Sequence, residues 1–358
     1  MMEKYNLWLG IVLGSRCLNG GDIVKSGITP QELYENRKGW HEYSFFTTKQ
    51  MERALIITME QAQAVEEKHL RCGIKSISYC DKEYPDTFRE ICDAPVILFY
   101  KGDIAMLKEE FIVAIIGSRN PDRDGLQICE NIAGRLAVNG VVIASGLAQG
   151  LDGTAHKAAL ELYGKTIAFV GTALDIAYPA AHKSLQNQII ADGCVISEYY
   201  IGVPTPATTF LERNRLIAAC SRAVCVIQAK CRSGSLATAR NALEYDKRLF
   251  AVPGTITNPM YDGTNHLIQE GATPLVKADD VLNFLGLYTA KKTRRIKPSV
   301  MLSEEEQAIC ICIGRQNKST NQIFAQTQIP MVRLKALLTR LELDSVIASQ
   351  SAGVYYIK

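Results

Sequence analysis

Five short apolar, β-rich runs between Val113 and Gly254 each end in a turn of small or polar residues. They are Val113–Arg119, Val141–Gly146, Thr166–Gly171, Val224–Gln228 leading into Ser233-Gly234-Ser235, and Leu249–Gly254. Runs this short and this uniformly apolar are what strands look like when both faces are covered, the usual environment of a parallel sheet. In an open parallel sheet the ligand crevice lies beyond the carboxyl ends of the strands. Small residues there let backbone N–H groups approach an anion, and helix N-termini favour negative charge. Gly117, Ser118, Ser145 and Gly146 stand at such turns, and Arg119, Lys165, Arg213 and Arg215 lie beside them as cations near one rim. The pattern predicts a ligand with more than one phosphate.

Helical stretches separate the runs. Strand 113–118 precedes a helix near 124–138 that closes at Asn139-Gly140, a C-cap signal. Strand 141–145 leads to a helix whose expected N-cap is Asp152, and strand 166–170 leads through Tyr178-Pro179 to a helix near 181–191. Strands 194–199 and 223–228 lead to helices near 210–220 and 235–245, and strand 248–252 ends the series. Repeated alternation predicts an α/β fold: a doubly wound, mostly parallel, extended Rossmann-like sheet with right-handed crossovers. A further strand, Val96–Tyr100, stands before it.

Both flanks look different. Residues 1–80 read as a small helical, helix-hairpin-helix-like domain, in which 51–71 is the clearest helix and Gly14, Gly20, Gly21 and Gly27 are turns. Such pieces sometimes bind DNA backbone, but the simpler reading is a helical packing domain. The α/β domain is expected over 81–288 and a basic linker over 289–299. Residues 300–358 then give a capping box at Ser303, three helices, and a hairpin about Gly353, the order of a winged-helix domain.

A chain of 358 residues has room for these parts. Its net charge of +3 and pI near 8.2 do not describe a uniform coater of nucleic acid, so polyanion binding requires local clustering. No signal peptide is expected: Glu3 and Lys4 precede a short apolar stretch with no cleavage-like site. No run approaches the roughly 20 apolar residues needed to span a bilayer, so no membrane partner is expected. The 11 cysteines contain no C-x-x-C and no zinc-finger spacing with histidine. They read as reduced thiols of a cytoplasmic protein, with no metal.

The motifs argue against a cofactor. Gly117-Ser118-Arg119 is not G-x-G-x-x-G, and Gly164-Lys165-Thr166 precedes a strand where a phosphate loop would open a helix. Asp152 and His156 are four residues apart on one helix face. They offer an acid/base pair, or, more simply, a cap and a packed neighbour. Phe210, Arg213, Asn214 and Arg215 open a helix: they hold phosphates and stack on bases, or they form a buried Arg–Asn network with Phe210 in the core. Ser233, Gly234 and Ser235 make an anion nest at a helix start.

Together these segments resemble the DNA-processing protein A family, also called DprA or Smf. The resemblance rests on Gly117-Ser118-Arg119, Ser145-Gly146, Gly150-x-Asp152, Ala155-His156, Leu174-Asp-x-x-Tyr-Pro179, Phe210-x-x-Arg-Asn-Arg-x-Ile217, Ser233-Gly-Ser-Leu-x-Thr-Ala239 and Ala251-Val-Pro-Gly254, and runs from about 80 to 285. It implies a non-catalytic cytoplasmic protein that binds single-stranded DNA, protects incoming strands in natural transformation, helps load the RecA recombinase, and forms a homodimer. It assigns Arg119, Phe210, Arg213 and Asn214 to the DNA pocket, with Lys165 as an added basic residue. The chain departs from the family at Gln228, often acidic there, at Asp124, a tyrosine there, and at Leu151. The first two are expected at the pocket edge and the third in packing. An alternative is a nucleotide-binding enzyme resembling the LOG-type phosphoribohydrolases. Against it, Thr255 follows Pro253-Gly254 where that family has a second glycine, and no glutamate opens the corresponding helix.

Overall fold

The computed structural model describes residues 3–14, 18–287, 303–313, 318–343, 346–351 and 353–357. Two compact units are present, 1–288 and 289–358. The expected linker, 289–299, lies outside the described residues.

The first unit is built on a nine-stranded sheet. Its strands are β1 (Lys75–Ser78), β2 (Ile97–Gly102), β3 (Ile112–Ile116), β4 (Val142–Ser145), β5 (Thr166–Phe169), β6 (Cys194–Ser197), β7 (Ala223–Val226), β8 (Arg248–Ala251) and β9 (Thr273–Pro274). Their spatial order is β1-β2-β6-β5-β4-β3-β7-β8-β9. From β6 to β9 every pair is parallel, whereas β2 runs antiparallel to both β1 and β6. All residues of β3 to β7 are buried, as their unbroken apolar runs required. The polar edge strands β1 and β9 carried no such signal, and proline in β9 fits its edge position.

Chain order sets the crevice. From β3 the chain steps outward through β4, β5 and β6, then returns across the sheet to β7 and steps the other way. The loops leaving β3 and β7 therefore diverge, and a gap opens between them at the carboxyl edge.

No seam falls at residue 80. Strand β1 precedes that boundary yet pairs with β2, and one continuous core runs from Leu7, Trp8 and Val12 to Phe99, Phe169 and Val224. Gly20 and Gly21, expected in a turn, are buried at the start of the helix Gly20–Ser26. A Cβ on Gly20 would sit 2.0 Å from the Ala94 carbonyl, and the Gly21 N–H donates to Cys92. These glycines let a helix press against backbone, and that N–H is not free for phosphate. The expected single helix 51–71 is two, Thr48–Ile56 and Met59–Arg71. Thr58 begins the second with a capping box to Gln61, so local capping overrides the apolar period.

The second unit has helices Glu304–Ile313, Thr320–Thr327 and Met331–Leu343 around Ile309, Ile323, Leu334, Leu338 and Leu341. Strands Ile347–Ser351 and Val354–Ile357 form the expected hairpin, and Lys318–Ser319 adds a third, short strand. Val332 in the last helix is 86% exposed.

Candidate nucleic-acid interface

The switch-point gap is a cleft of about 380 Å³. The β3 loop contributes Gly117 and Arg119 to its lining, the β4 loop Ala148, and the first turn of the helix Leu151–Glu161 Asp152. The helix Thr208–Cys220 contributes Phe210, Arg213 and Asn214, and Ser233, Gly234 and Ser235 close it at the start of the helix Ser235–Glu244.

The floor holds two buried, opposite charges, Asp152 and Arg213. Asp152 is not the N-cap; that position belongs to Gly150 at φ 81°. Instead the Asp152 carboxylate accepts from the N–H groups of Ala148, Gly117 and Gly146, and the Arg213 charge acts on it through space. Burial raises its pKa and these partners oppose the rise. Arg213 is 3% exposed. Its Nη1 donates to the carbonyls of Gly146, at 2.5 Å, and Phe169, while its Nε donates to Asn214 Oδ1 at 3.1 Å. Burial lowers its pKa to about 10, aided by Arg119 and opposed by Asp152, so it stays charged at neutral pH. Arg213 thus ties together the ends of β4 and β5, and lends the cleft its field more than its hydrogen bonds. A Cβ on Gly146 would lie 2.5 Å from the Arg213 guanidinium, so a larger residue there would displace it.

The rim is different in kind. Arg119 is exposed, has no carboxylate partner among the described residues, and lies 5.8 Å from the centroid of the Phe210 ring. Phe210 is half-buried on Gly171, whose Cβ would be 2.9 Å from the Phe210 ring. Its other ring neighbour is Tyr178, 4.8 Å away and tilted by 36°. Ser233 and Ser235 share a hydroxyl–hydroxyl bond of 2.6 Å, and the Asn214 amide reaches toward the Gly234 carbonyl at 3.4 Å.

Several expected site residues do not reach the cleft. Lys165 precedes β5, which puts it at the amino edge, and its Nζ bonds Glu109 at 2.6 Å. Arg215 is 2% exposed, held by Asp93 at 3.0 Å and Glu198 at 2.8 Å. Two residues along a helix turn a side chain about 200° from Arg213, so these arginines serve opposite faces. Ser145 is fully buried and donates to Ile115 of β3, and Ser118 shapes its loop by accepting from Asn120 at 3.1 Å. His156 is fully buried and packed, as the simpler reading held: Thr166 donates to Ile143, so its Oγ1 accepts from His156 Nδ1–H at 2.6 Å. Burial, followed by Arg213 and His182, lowers the His156 pKa to about 3. It is therefore neutral.

The departures behave unequally. Gln228 is fully buried beneath the β3 loop, not at the cleft's edge. Its Oε1 accepts from Asp122 at 3.2 Å and its carbonyl from Ser118 at 2.8 Å. Asp124 is exposed in the first turn of the next helix, and Leu151 is buried against Gly117. Lys230 and Arg232, exposed on the loop that leads into Ser233, escaped sequence reasoning. The available signal was a Lys-x-Arg pair directly before a small-residue turn.

The family model for DNA recombination-mediator protein A matches residues 75–286. The DNA processing protein DprA of Streptococcus pneumoniae is 44% identical over 229 residues, covering 63% of this chain and 80% of the relative. Its Bacillus subtilis counterpart is 36% identical over 213 residues, covering 60% and 72%. Among solved structures, the S. pneumoniae protein superposes with a TM-score of 0.62 at 38% identity, covering 74% of this chain and 97% of that one. DNA processing protein A of Helicobacter pylori, solved for its single-stranded DNA binding mode, gives 0.54 at 36% identity, covering 59% and 95%. The chain belongs to the DNA recombination-mediator protein A family.

Proposed function

We propose that the switch-point cleft binds single-stranded DNA without cutting it. The observation that carries this is the pairing of an unpaired, exposed Arg119 with the half-open Phe210 ring, 5.8 Å apart, over a floor whose own charges are internally satisfied. The cation meets a phosphate and the ring meets a base. A duplex offers no unstacked base to such a ring, and every base has a face, so sequence preference is weak. Gly117, Gly234 and the Ser233/Ser235 turn supply the small surface against which the backbone lies. Lys230 and Arg232 extend the cationic rim. The single-strand binding of the H. pylori relative supports the same assignment.

The absence of catalysis is part of this proposal. Asp152 is buried and held by three N–H groups, and His156 is buried below the cleft, so neither is placed to move a proton on a ligand. The Pro253-Gly254 turn, which the enzyme alternative needs open, is occupied. Asn265 brackets Gly254 with two bonds of 3.0 Å, and a Cβ there would lie 2.0 Å from Tyr261.

We further propose the family's wider role for this chain: protection of incoming single strands in the cytoplasm, handover to RecA, and homodimer formation. The second unit acts as a winged-helix module that docks protein in preference to duplex DNA. Among its cations, Arg333 pairs with Glu305 at 2.7 Å and Arg340 with Glu306 at 3.5 Å, while Lys318 bonds Gln326.

Anisotropy titration of labelled oligo-dT, duplex and mononucleotide against salt tests the central reading. The expected result is preference for oligo-dT, a steep salt slope, and a large loss of affinity in Arg119→Ala with unchanged folding. Equal affinity for duplex, or an unaffected Arg119→Ala variant, would overturn it.

A further inference from the structure

Phe210 lines the cleft, but Tyr178 does not; it meets Phe210 from outside the lining. Tyr178 is 50% exposed, and Phe210 beside it is only half-buried. A pair that merely filled the core would be covered. The two rings touch, with centroids 4.8 Å apart and planes tilted by 36°, yet neither residue is fully covered. The position of Phe210 is fixed, because Gly171 beneath it leaves no room to retreat, with an added Cβ 2.9 Å from its ring and 3.2 Å from its backbone. Arg119 stands over the same ring. Ile176, 45% exposed, and Leu211, 51% exposed, are further uncovered apolar side chains on the two segments that carry these rings. The result is a row that starts at a cation in the cleft, passes over Phe210, and ends on Tyr178 in the loop after β5.

We propose that Tyr178 and Phe210 form a two-step stacking platform, on which successive unpaired bases rest as the strand leaves the cleft past the end of β5. The assignment rests on the reading of the cleft as a single-strand site and gives that site a direction of exit and a second base position. Aromatic side chains hold bases through their faces and tolerate any sequence, so the added position contributes affinity without a code. Tyr163 supplies an internal control. It is 70% exposed but precedes β5, at the opposite edge of the sheet.

The test uses the full chain with oligo-dT and with an abasic oligodeoxynucleotide of equal length. Tyr178→Leu keeps apolar bulk and removes the ring; it is expected to weaken oligo-dT binding about tenfold, within the roughly 5- to 150-fold that losing one stacked base implies. Tyr178→Phe keeps the ring and stays within about twofold of the parent. Tyr163→Leu changes nothing. On the abasic strand, which keeps its phosphates, Tyr178→Leu and the parent bind alike. Unchanged oligo-dT binding by Tyr178→Leu, an equal loss on the abasic strand, or an equal loss in Tyr163→Leu would each overturn the platform. If Arg119→Ala still loses affinity in those cases, the cleft stands and only the platform falls. If Arg119→Ala and Phe210→Ala are both silent, the cleft reading itself fails.

Discussion

Three arginines in this family's motifs carry the same charge and have different work. Arg119 is exposed and free to meet a ligand, Arg213 is buried and spends its donors on carbonyls and Asn214, and Arg215 is locked by Asp93 and Glu198. Their variants should separate accordingly. Arg119→Ala is expected to cost affinity and leave the urea midpoint unchanged. Arg215→Met strands two buried carboxylates and should cost about 3–5 kcal/mol of stability in a urea titration. Asp152→Asn weakens the acceptor for three buried N–H groups and should cost about 1–3 kcal/mol by the same measurement. His156 adds a pH dependence. Its folded pKa is lowered to about 3, so between the unfolded value near 6.5 and about 3 only the unfolded chain takes the proton. Stability is full above that window and falls as pH drops through it. His69, lowered to about 4 chiefly by burial while its Nε2 accepts from Ile201, acts in the same direction. His156→Asn keeps a donor for Thr166 and does not titrate, so its stability should fall less steeply between pH 6.5 and 5.

At the scale of elements, the cleft depends on turns that only glycine fits. Gly150 has φ 81°, and a Cβ there would lie 2.4 Å from the Ser118 carbonyl and 2.6 Å from that of Arg119. Gly150→Ala therefore strains its own backbone and pushes on the loop that carries the binding arginine. A loss of about 1–3 kcal/mol in thermal unfolding is expected, together with weaker oligo-dT binding. Gly171→Ala presses instead on Phe210, at 2.9 Å from its ring, and should weaken oligo-dT binding more than it lowers stability. A Gly171→Ala protein that binds as well as the parent would show that the position of Phe210 is immaterial.

For the whole molecule, the shared core decides what can be cut away. Trp8 donates to the Ile57 carbonyl, Trp40 stacks on Phe46 at 3.8 Å, and the helix Glu3–Leu13 packs on the same core as β2. A fragment of 81–288 loses β1 and uncovers these residues, so it is expected to be insoluble or molten by near-ultraviolet circular dichroism. A fragment of 1–288 keeps the unit intact and should bind oligo-dT within about twofold of the full chain. A soluble, cooperative 81–288 fragment would overturn the single-core description.

The alternation of buried strands and helices was legible because burial on both faces forces unbroken apolar runs, and small residues where those runs end marked the edge that carries the cleft. Those signals are local in sequence. Which cation faces a ligand is not local: Lys165 and Arg215 share the composition of Arg119, and only the direction of a strand and the turn of a helix send them elsewhere. The same holds for Gln228 beneath the β3 loop, for Asp152 under it, and for the absent boundary at residue 80. Sequence by itself determined the layered sheet and the edge at which a polyanion is met, since periodicity and turn chemistry act over a few residues. Tertiary structure alone decided which charges are satisfied inside and which are left for a ligand, because that depends on partners brought from as far as 122 residues away, as Asp93 is to Arg215.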